Sequence, residues 1–158
     1  MDPKKMFFTY NGFPRHAEWD HFVDWNEFKL GKGNDIIYTD SVAVCLAITL
    51  YYPPKKIGVL AYISDFSDSP TNLRSENVID TLLRALSLTG KQDTFPSLQA
   101  SLAGEGLLRD DDRKLSPIVR SMLNKYCIPI IGEDLCKAPG RLVYLHCDTG
   151  LVEVFRAG

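Results

Sequence analysis

Two apolar runs separated by a short turn place the strongest constraint on the fold of this chain. The first run covers residues 42–51 and the second covers residues 57–64, and both consist largely of Val, Ile, Leu, Ala and Tyr. Pro53-Pro54-Lys55-Lys56 lies between them. Short apolar runs bounded by proline are typical of buried strands joined by a turn. The sequence therefore predicts a buried β-hairpin.

The other segments predict a β-rich chain with two helices. Residues 76–89 repeat apolar side chains at helical spacing, with Ser75 as the N-cap and Gly90 as the stop. A second helix is expected to start at Ser116, because Pro117 suits a first helical position. We expect a mixed α/β fold of two packed β-sheets with flanking helices. The remaining strands are predicted at 25–30, 36–38, 95–103, 128–131, 142–145 and 151–155.

Length and composition limit the classes of protein to consider. A chain of 158 residues with 45% hydrophobic content suits one domain with a real core. We place that domain at residues 26–158, after an aromatic N-terminal extension at 1–25 that packs on it. A net charge of -2 argues against nucleic acid as a partner. No apolar run approaches the roughly 20 residues of a membrane helix, so we expect a cytoplasmic protein without membrane insertion.

The cysteines and acidic residues give no sign of a metal or cofactor. No pair of cysteines has the C-x-x-C spacing of zinc or redox sites, so reduced thiols are expected. Asp110-Asp111-Asp112 lacks the alternating ligands of a calcium loop, and Glu133-Asp134 is predicted to form a solvated turn. We therefore expect no cofactor. The cysteines are Cys45, Cys127, Cys136 and Cys147.

One cysteine stands in a pattern that carries chemistry. Thr39 precedes Cys45 by six residues, and Tyr62 follows Cys45 by seventeen. This segment resembles the active-site segment of the CheD family of chemoreceptor glutamine deamidases, in which a threonine, a cysteine and a histidine stand at that spacing. Here tyrosine takes the place of the histidine. The resemblance extends over about residues 26–156 and includes 47–58, 125–130, 140–143 and 148–152.

The resemblance implies a fold, an activity and partners. The fold is the sandwich shared by CheD and cytotoxic necrotizing factor. The implied activity, within chemotaxis, is hydrolysis of a glutamine side chain on a chemoreceptor-like protein. Cys45 is the implied nucleophile, Thr39 supports it, and Tyr62 occupies the base position. The implied partners are methyl-accepting chemoreceptors and a CheC-type phosphatase.

The exchange at position 62 leaves alternatives open. A tyrosine is a proton donor at neutral pH because its ordinary pKa is about 10. A base would then have to come from His16, His21 or His146. Without one, the chain is a binding module that docks a partner through its aromatic N-terminal segment, or a cysteine hydrolase with another substrate. From its apolar neighbours alone, Cys45 is typical of a core residue.

Overall fold

Ten strands and two α-helices form the described part of the chain, which in this computed structural model comprises residues 6–14, 21–40, 42–64 and 73–157. The strands make two five-stranded sheets, as the β-rich α/β prediction required. His16 and Ser41 lie outside the described residues. The strands are β1 (Phe7–Asn11), β2 (His21–Phe22), β3 (Glu27–Lys32), β4 (Ile36–Thr39), β5 (Leu46–Tyr52), β6 (Ile57–Ile63), β7 (Gln99–Gly104), β8 (Ile130–Asp134), β9 (Arg141–His146) and β10 (Val152–Arg156); the helices are α1 (Val78–Ala85) and α2 (Leu115–Lys125).

The two sheets differ in how the chain builds them. Sheet I has the order β1-β10-β9-β4-β2, with β1 parallel to β10 and β2 parallel to β4. Sheet II has the order β3-β6-β5-β7-β8, with β7 and β8 parallel. Strands β1 and β2 come from the segment before residue 26 and lie at the two edges of sheet I. The domain boundary at residue 26 stays a prediction.

The β5–β6 hairpin is buried on both faces, which explains its nearly continuous apolar sequence. Side chains alternate along β5, so Leu46, Ile48 and Leu50 pack against the helices. Ala47 and its neighbour Cys45 lie in the other core, between the two sheets. Within the described residues, neither α-helix is long and apolar enough to cross a bilayer.

Four predicted strands begin two to four residues later than their apolar patterns suggested, and β5 and β7 do so by the most. β5 starts at Leu46, because the carbonyls of Ala43 and Cys45 accept hydrogen bonds from Leu107 and Glu105 instead of continuing the ladder. The strand predicted from residue 95 starts at Gln99, after a 3-10 helix over Gln92–Ser97. Pro96 lies inside that turn, and a proline has no N–H to give to a strand partner.

The helix limits also differ from the prediction. α1 begins after Asn77, whose side-chain oxygen accepts a hydrogen bond from the Arg74 N–H at 2.8 Å, so Ser75 is not its N-cap. The helix ends before Gly90, because Ser87 already adopts a left-handed conformation with φ of 59°. Such residues end helices by turning the last carbonyls to new partners.

Asp134 is buried rather than solvated, so the predicted turn at 133–134 is wrong. Its carboxylate accepts a hydrogen bond from Arg141 Nε at 3.0 Å and from Arg156 Nη2 at 2.8 Å. Burial disfavours the charged form, but the hydrogen bonds from Arg156 and Arg141 outweigh it and hold the pKa of Asp134 well below its usual range. The error arose because the two arginines are distant in sequence but adjacent across β8, β9 and β10.

Candidate functional site

Cys45 lies directly before β5, with its side chain in the core between the sheets. Only 6% of the residue is exposed. Tyr62 of β6 pairs with Ala47, the next residue of β5 on the same face, and its side chain is hydrogen-bonded to the Cys45 thiol. The hairpin therefore brings together two side chains that are seventeen residues apart, as the spacing predicted. Their catalytic roles stay predictions.

The surroundings of Cys45 keep its thiol protonated at neutral pH. Burial raises the pKa of Cys45, and the negative charge of Glu105 adds to this effect. Hydrogen bonds with the Trp25 and Tyr62 side chains act in the opposite direction without cancelling it. Desolvation, followed by the proximity of Cys45, also raises the pKa of Tyr62. Tyr62 is therefore a neutral hydrogen-bond donor and does not take a proton from the thiol.

Thr39 occupies the end of β4, in the opposite sheet from Cys45. It is fully buried, and its hydroxyl donates a hydrogen bond to the Val23 carbonyl at 2.7 Å. The six-residue step from Thr39 to Cys45 thus crosses from sheet I to sheet II, with the Val42 N–H donating to the Arg141 carbonyl on the way. The structure orients Thr39 through Val23; its predicted support of Cys45 stays a prediction.

The two described histidines are engaged with acidic side chains of sheet I or its turns. His21 Nε2 lies 3.3 Å from Asp35, and His146 Nε2 lies 2.7 Å from Glu153. His146 pairs with Ile36, at the end of β4 opposite to Thr39. The side chains that hydrogen-bond Cys45 are Trp25 and Tyr62 instead. The described part of the site therefore contains two donors and no imidazole at the thiol.

Two residues at the site were missed in the sequence. Trp25 was assigned to a strand, whereas it lies in the turn before β3. Glu105 is fully buried, and its N–H donates to the Cys45 carbonyl at 2.8 Å. Its carboxylate accepts the backbone N–H groups of residues 114, 115 and 116 at the start of α2. The one sequence signal for Glu105 was a lone acid between two glycines directly after an apolar strand.

The residues around Cys45 hold a buried thiol with two neutral hydrogen-bond donors, Trp25 and Tyr62. Two donors aimed at one sulfur favour its thiolate once a proton has been removed. Removal of that proton needs a base, and the position that the hairpin offers for a base is occupied by Tyr62. Among the described residues, no group of three or more His, Cys, Asp or Glu side chains is placed to hold a metal ion.

Comparison with known proteins identifies relatives along most of the chain. No family model matches it. A probable chemoreceptor glutamine deamidase CheD from Archaeoglobus fulgidus is 29% identical over 86% of this chain and 94% of its own. The corresponding proteins of Clostridium novyi and Pyrococcus horikoshii are each 28% identical, over 77% and 84% of this chain and 83% and 89% of their own.

One solved structure is also similar, although weakly. The hypothetical protein YfiH of Bacillus licheniformis matches 64% of this chain and 48% of its own, at 12% identity and a TM-score of 0.43. The sequence relatives are the stronger finding, since all share one name and align over most of both chains. Together with the Cys45 segment and the two-sheet fold, they support the assignment of this chain as a divergent member of the CheD family.

Proposed function

We propose that this protein is a CheD-type deamidase that acts slowly on a glutamine side chain of a chemoreceptor-type protein, with Cys45 as the nucleophile. The observation that carries the proposal is the contact between Cys45 and Tyr62 at the family's cysteine–histidine spacing. Such a substrate places the activity in the cytoplasm. From the family resemblance, we also propose a CheC-type phosphatase as a further partner.

The chemistry requires a thiolate and two proton transfers. The Cys45 sulfur attacks the amide carbon of the glutamine, and the C–N bond breaks as ammonia leaves with an added proton. Water then hydrolyses the thioester, which restores the thiol and leaves glutamate. A base beside the sulfur would accept the thiol proton and pass it to the leaving nitrogen. Backbone N–H groups near Cys45 would stabilise the oxyanion.

Tyr62 supports only part of this sequence of steps. Its hydroxyl donates a hydrogen bond, so it stabilises negative charge on sulfur. The raised pKa of Tyr62 keeps its phenol protonated. Tyr62 therefore does not accept the Cys45 proton and does not pass it to the leaving nitrogen. Deamidation by the natural chain therefore depends on the small fraction of thiolate present at neutral pH.

Restoring a histidine at position 62 tests this proposal. We expect Tyr62→His to increase ammonia release from a chemoreceptor fragment by roughly a hundred-fold or more, the usual effect of general acid–base catalysis. Tyr62→Phe is the matched control, because it removes the hydroxyl without adding a base. Cys45→Ala in the Tyr62→His background should abolish the activity. Mass spectrometry of the substrate detects the one-dalton change from glutamine to glutamate.

Two outcomes would contradict the proposal. If the natural chain were as active as Tyr62→His, another residue would supply the proton transfer. If ammonia release persisted in Cys45→Ala, the nucleophile would lie elsewhere. Ala43 and Val44 directly precede Cys45, and the space that their side chains occupy is the main reason to assay several receptor fragments.

A second candidate function, a binding module without turnover, is favoured by the aromatic surface of sheet I. Each of its five strands contributes one aromatic ring to a continuous row across the face turned away from sheet II. Tyr10 stacks on Phe155 with ring centroids 4.8 Å apart, and 41% of Tyr10 is exposed. The neighbouring Phe8 is 45% exposed. The row is Tyr10, Phe155, Tyr144, Tyr38 and Phe22.

The exposed part of this row lies at β1, with Phe8 and Tyr10, and exposed aromatic side chains are common anchors in protein interfaces. The receptor assay separates this function from deamidation. If the natural chain and Tyr62→His both bind the fragment without releasing ammonia, the protein is a binding module, and binding should then weaken in Phe8→Ala.

A further inference from the structure

The turn that precedes β3 is built around Trp25. The Trp25 N–H donates to Asp24 Oδ1 at 2.7 Å, and the Asp24 N–H donates to Glu27 Oε2 at 3.2 Å. The Glu27 N–H donates a hydrogen bond to the Asp24 carbonyl at 3.1 Å. These local hydrogen bonds define the turn conformation, because each polar side chain satisfies a backbone group within three residues.

Asn26 fastens this turn to the strand that carries Tyr62. Asn26 is 2% exposed and has a left-handed φ of 57°, a conformation that asparagine tolerates better than most residues. Its N–H donates to the Tyr62 carbonyl at 2.7 Å. Its side-chain oxygen accepts hydrogen bonds from the Ser64 N–H at 3.0 Å and the Ser64 hydroxyl at 3.1 Å. The residue before Asn26 is thus held beside the end of β6.

Trp25 lies beside the nearly buried thiol of Cys45 and is itself partly exposed. Its side chain is hydrogen-bonded to the Cys45 thiol, and the indole N–H is the only group of that side chain that donates. Trp25 is 45% exposed, whereas Cys45 is 6% exposed. A large, half-exposed ring whose N–H is on a nearly buried sulfur is placed to cover the thiol.

We propose that Trp25 is an access and positioning residue for Cys45: its ring restricts entry to the sulfur, and its N–H holds the sulfur in place by a hydrogen bond. This inference rests on Cys45 being the reacting group of the proposed function.

The two effects of Trp25 are separable by experiment. The other polar groups that act on the thiol are Tyr62, as a donor, and Glu105, as a negative charge; Asp24 and Asp40 act on Tyr62. Trp25→Phe retains the ring and removes the donor. Trp25→Ala removes both. Phe13→Ala is the matched control, since Phe13 is an exposed aromatic residue outside the aromatic row of sheet I.

The measurement is the alkylation rate of Cys45 as a function of pH, followed by mass spectrometry of its peptide. Iodoacetamide serves as the small reagent and a bulky aryl maleimide as the large one. For Trp25→Phe, we expect the midpoint of the pH profile to rise by about one unit, with an unchanged plateau rate. For Trp25→Ala, we expect the plateau rate with the bulky reagent to rise several-fold. Phe13→Ala should match the natural chain.

Unchanged midpoints in Trp25→Phe together with unchanged plateau rates in Trp25→Ala would overturn the proposal. A thermal melt of each variant checks the fold, and Trp25→Phe still decides the donor effect if Trp25→Ala does not fold. Alkylation needs no receptor and no turnover. If the Trp25 variants leave alkylation unchanged while Tyr62→His is active, only the proposed role of Trp25 is wrong. If the Trp25 variants change alkylation while Tyr62→His is inactive, only the proposed deamidase function is wrong.

Discussion

At the scale of single residues, one exchange decides what the site does. The hairpin places Tyr62 against Cys45 where a histidine would be a base, and the tyrosine is a donor with a raised pKa. Trp25 adds a second donor. A thiol between two neutral donors in an apolar core is protected rather than activated, since reactivity follows the thiolate fraction.

The pH dependence of Cys45 reactivity follows from this environment. Because burial is the largest influence and raises its pKa, we predict that the alkylation midpoint of Cys45 lies above that of a free cysteine in an unstructured peptide, about 8.5. At pH 7 the rate should be lower than that of the peptide. Iodoacetamide titration with peptide mass spectrometry measures both. A midpoint below the peptide value would show that an unidentified cation activates the thiol.

At the scale of elements, Glu105 joins β7, the Cys45 segment and α2. It adopts a left-handed φ of 50°, which costs energy for a residue with a side chain. The conformation turns its carboxylate onto the N-terminus of α2, where three backbone N–H groups have no partner within the helix. The negative charge is also favourable there because of the helix dipole.

We therefore predict that Glu105→Ala lowers the free energy of unfolding by about 2 to 3 kcal/mol, because buried N–H groups lose a charged acceptor. Glu105→Gln keeps an acceptor oxygen and should lose less. Urea unfolding measures the stability, and amide hydrogen exchange at residues 114–116 locates the effect. Equal stability of the alanine variant and the natural chain, with unchanged exchange, would show that water replaces the carboxylate.

At the scale of the whole molecule, Asp134 connects the two sheets at one end. It belongs to β8 of sheet II, and its arginine partners belong to β9 and β10 of sheet I. Arg141 is fully buried, and its positive charge is compensated by this carboxylate. Arg156 is partly exposed and completes the cluster. Removing one member of a buried ion pair is costly, because the other charge remains without compensation.

We predict that Asp134→Asn destabilises the protein by about 3 to 5 kcal/mol at neutral pH. The matched control is Glu133→Gln on the same strand, whose surface pair with Arg120 is expected to contribute at most about 1 kcal/mol. Since the folded pKa of Asp134 is depressed, its contribution is complete above about pH 4 and declines as the pH falls further. Urea unfolding across pH tests both statements, and similar losses in the two variants would contradict them.

Local pattern was enough to predict the central hairpin, both helices and the contact between the Cys45 and Tyr62 side chains. Continuous apolar runs report burial on both faces, and the spacing across a tight hairpin places residues beside each other without help from the rest of the chain. The resemblance to the CheD family also rested on such local spacing, and the relatives agree with it.

The neighbours that control Cys45 were decided by the tertiary structure. Trp25, Glu105 and Thr39 come from three separate segments, and their contacts depend on how the two sheets pack. The contacts of Asp134 also depend on tertiary structure. In the sequence it is typical of a solvated acid, but Arg141 and Arg156 contact it from other strands. A pattern of apolar residues states which faces are buried, but it does not state which polar groups meet there, because those partners are joined by long-range pairing alone.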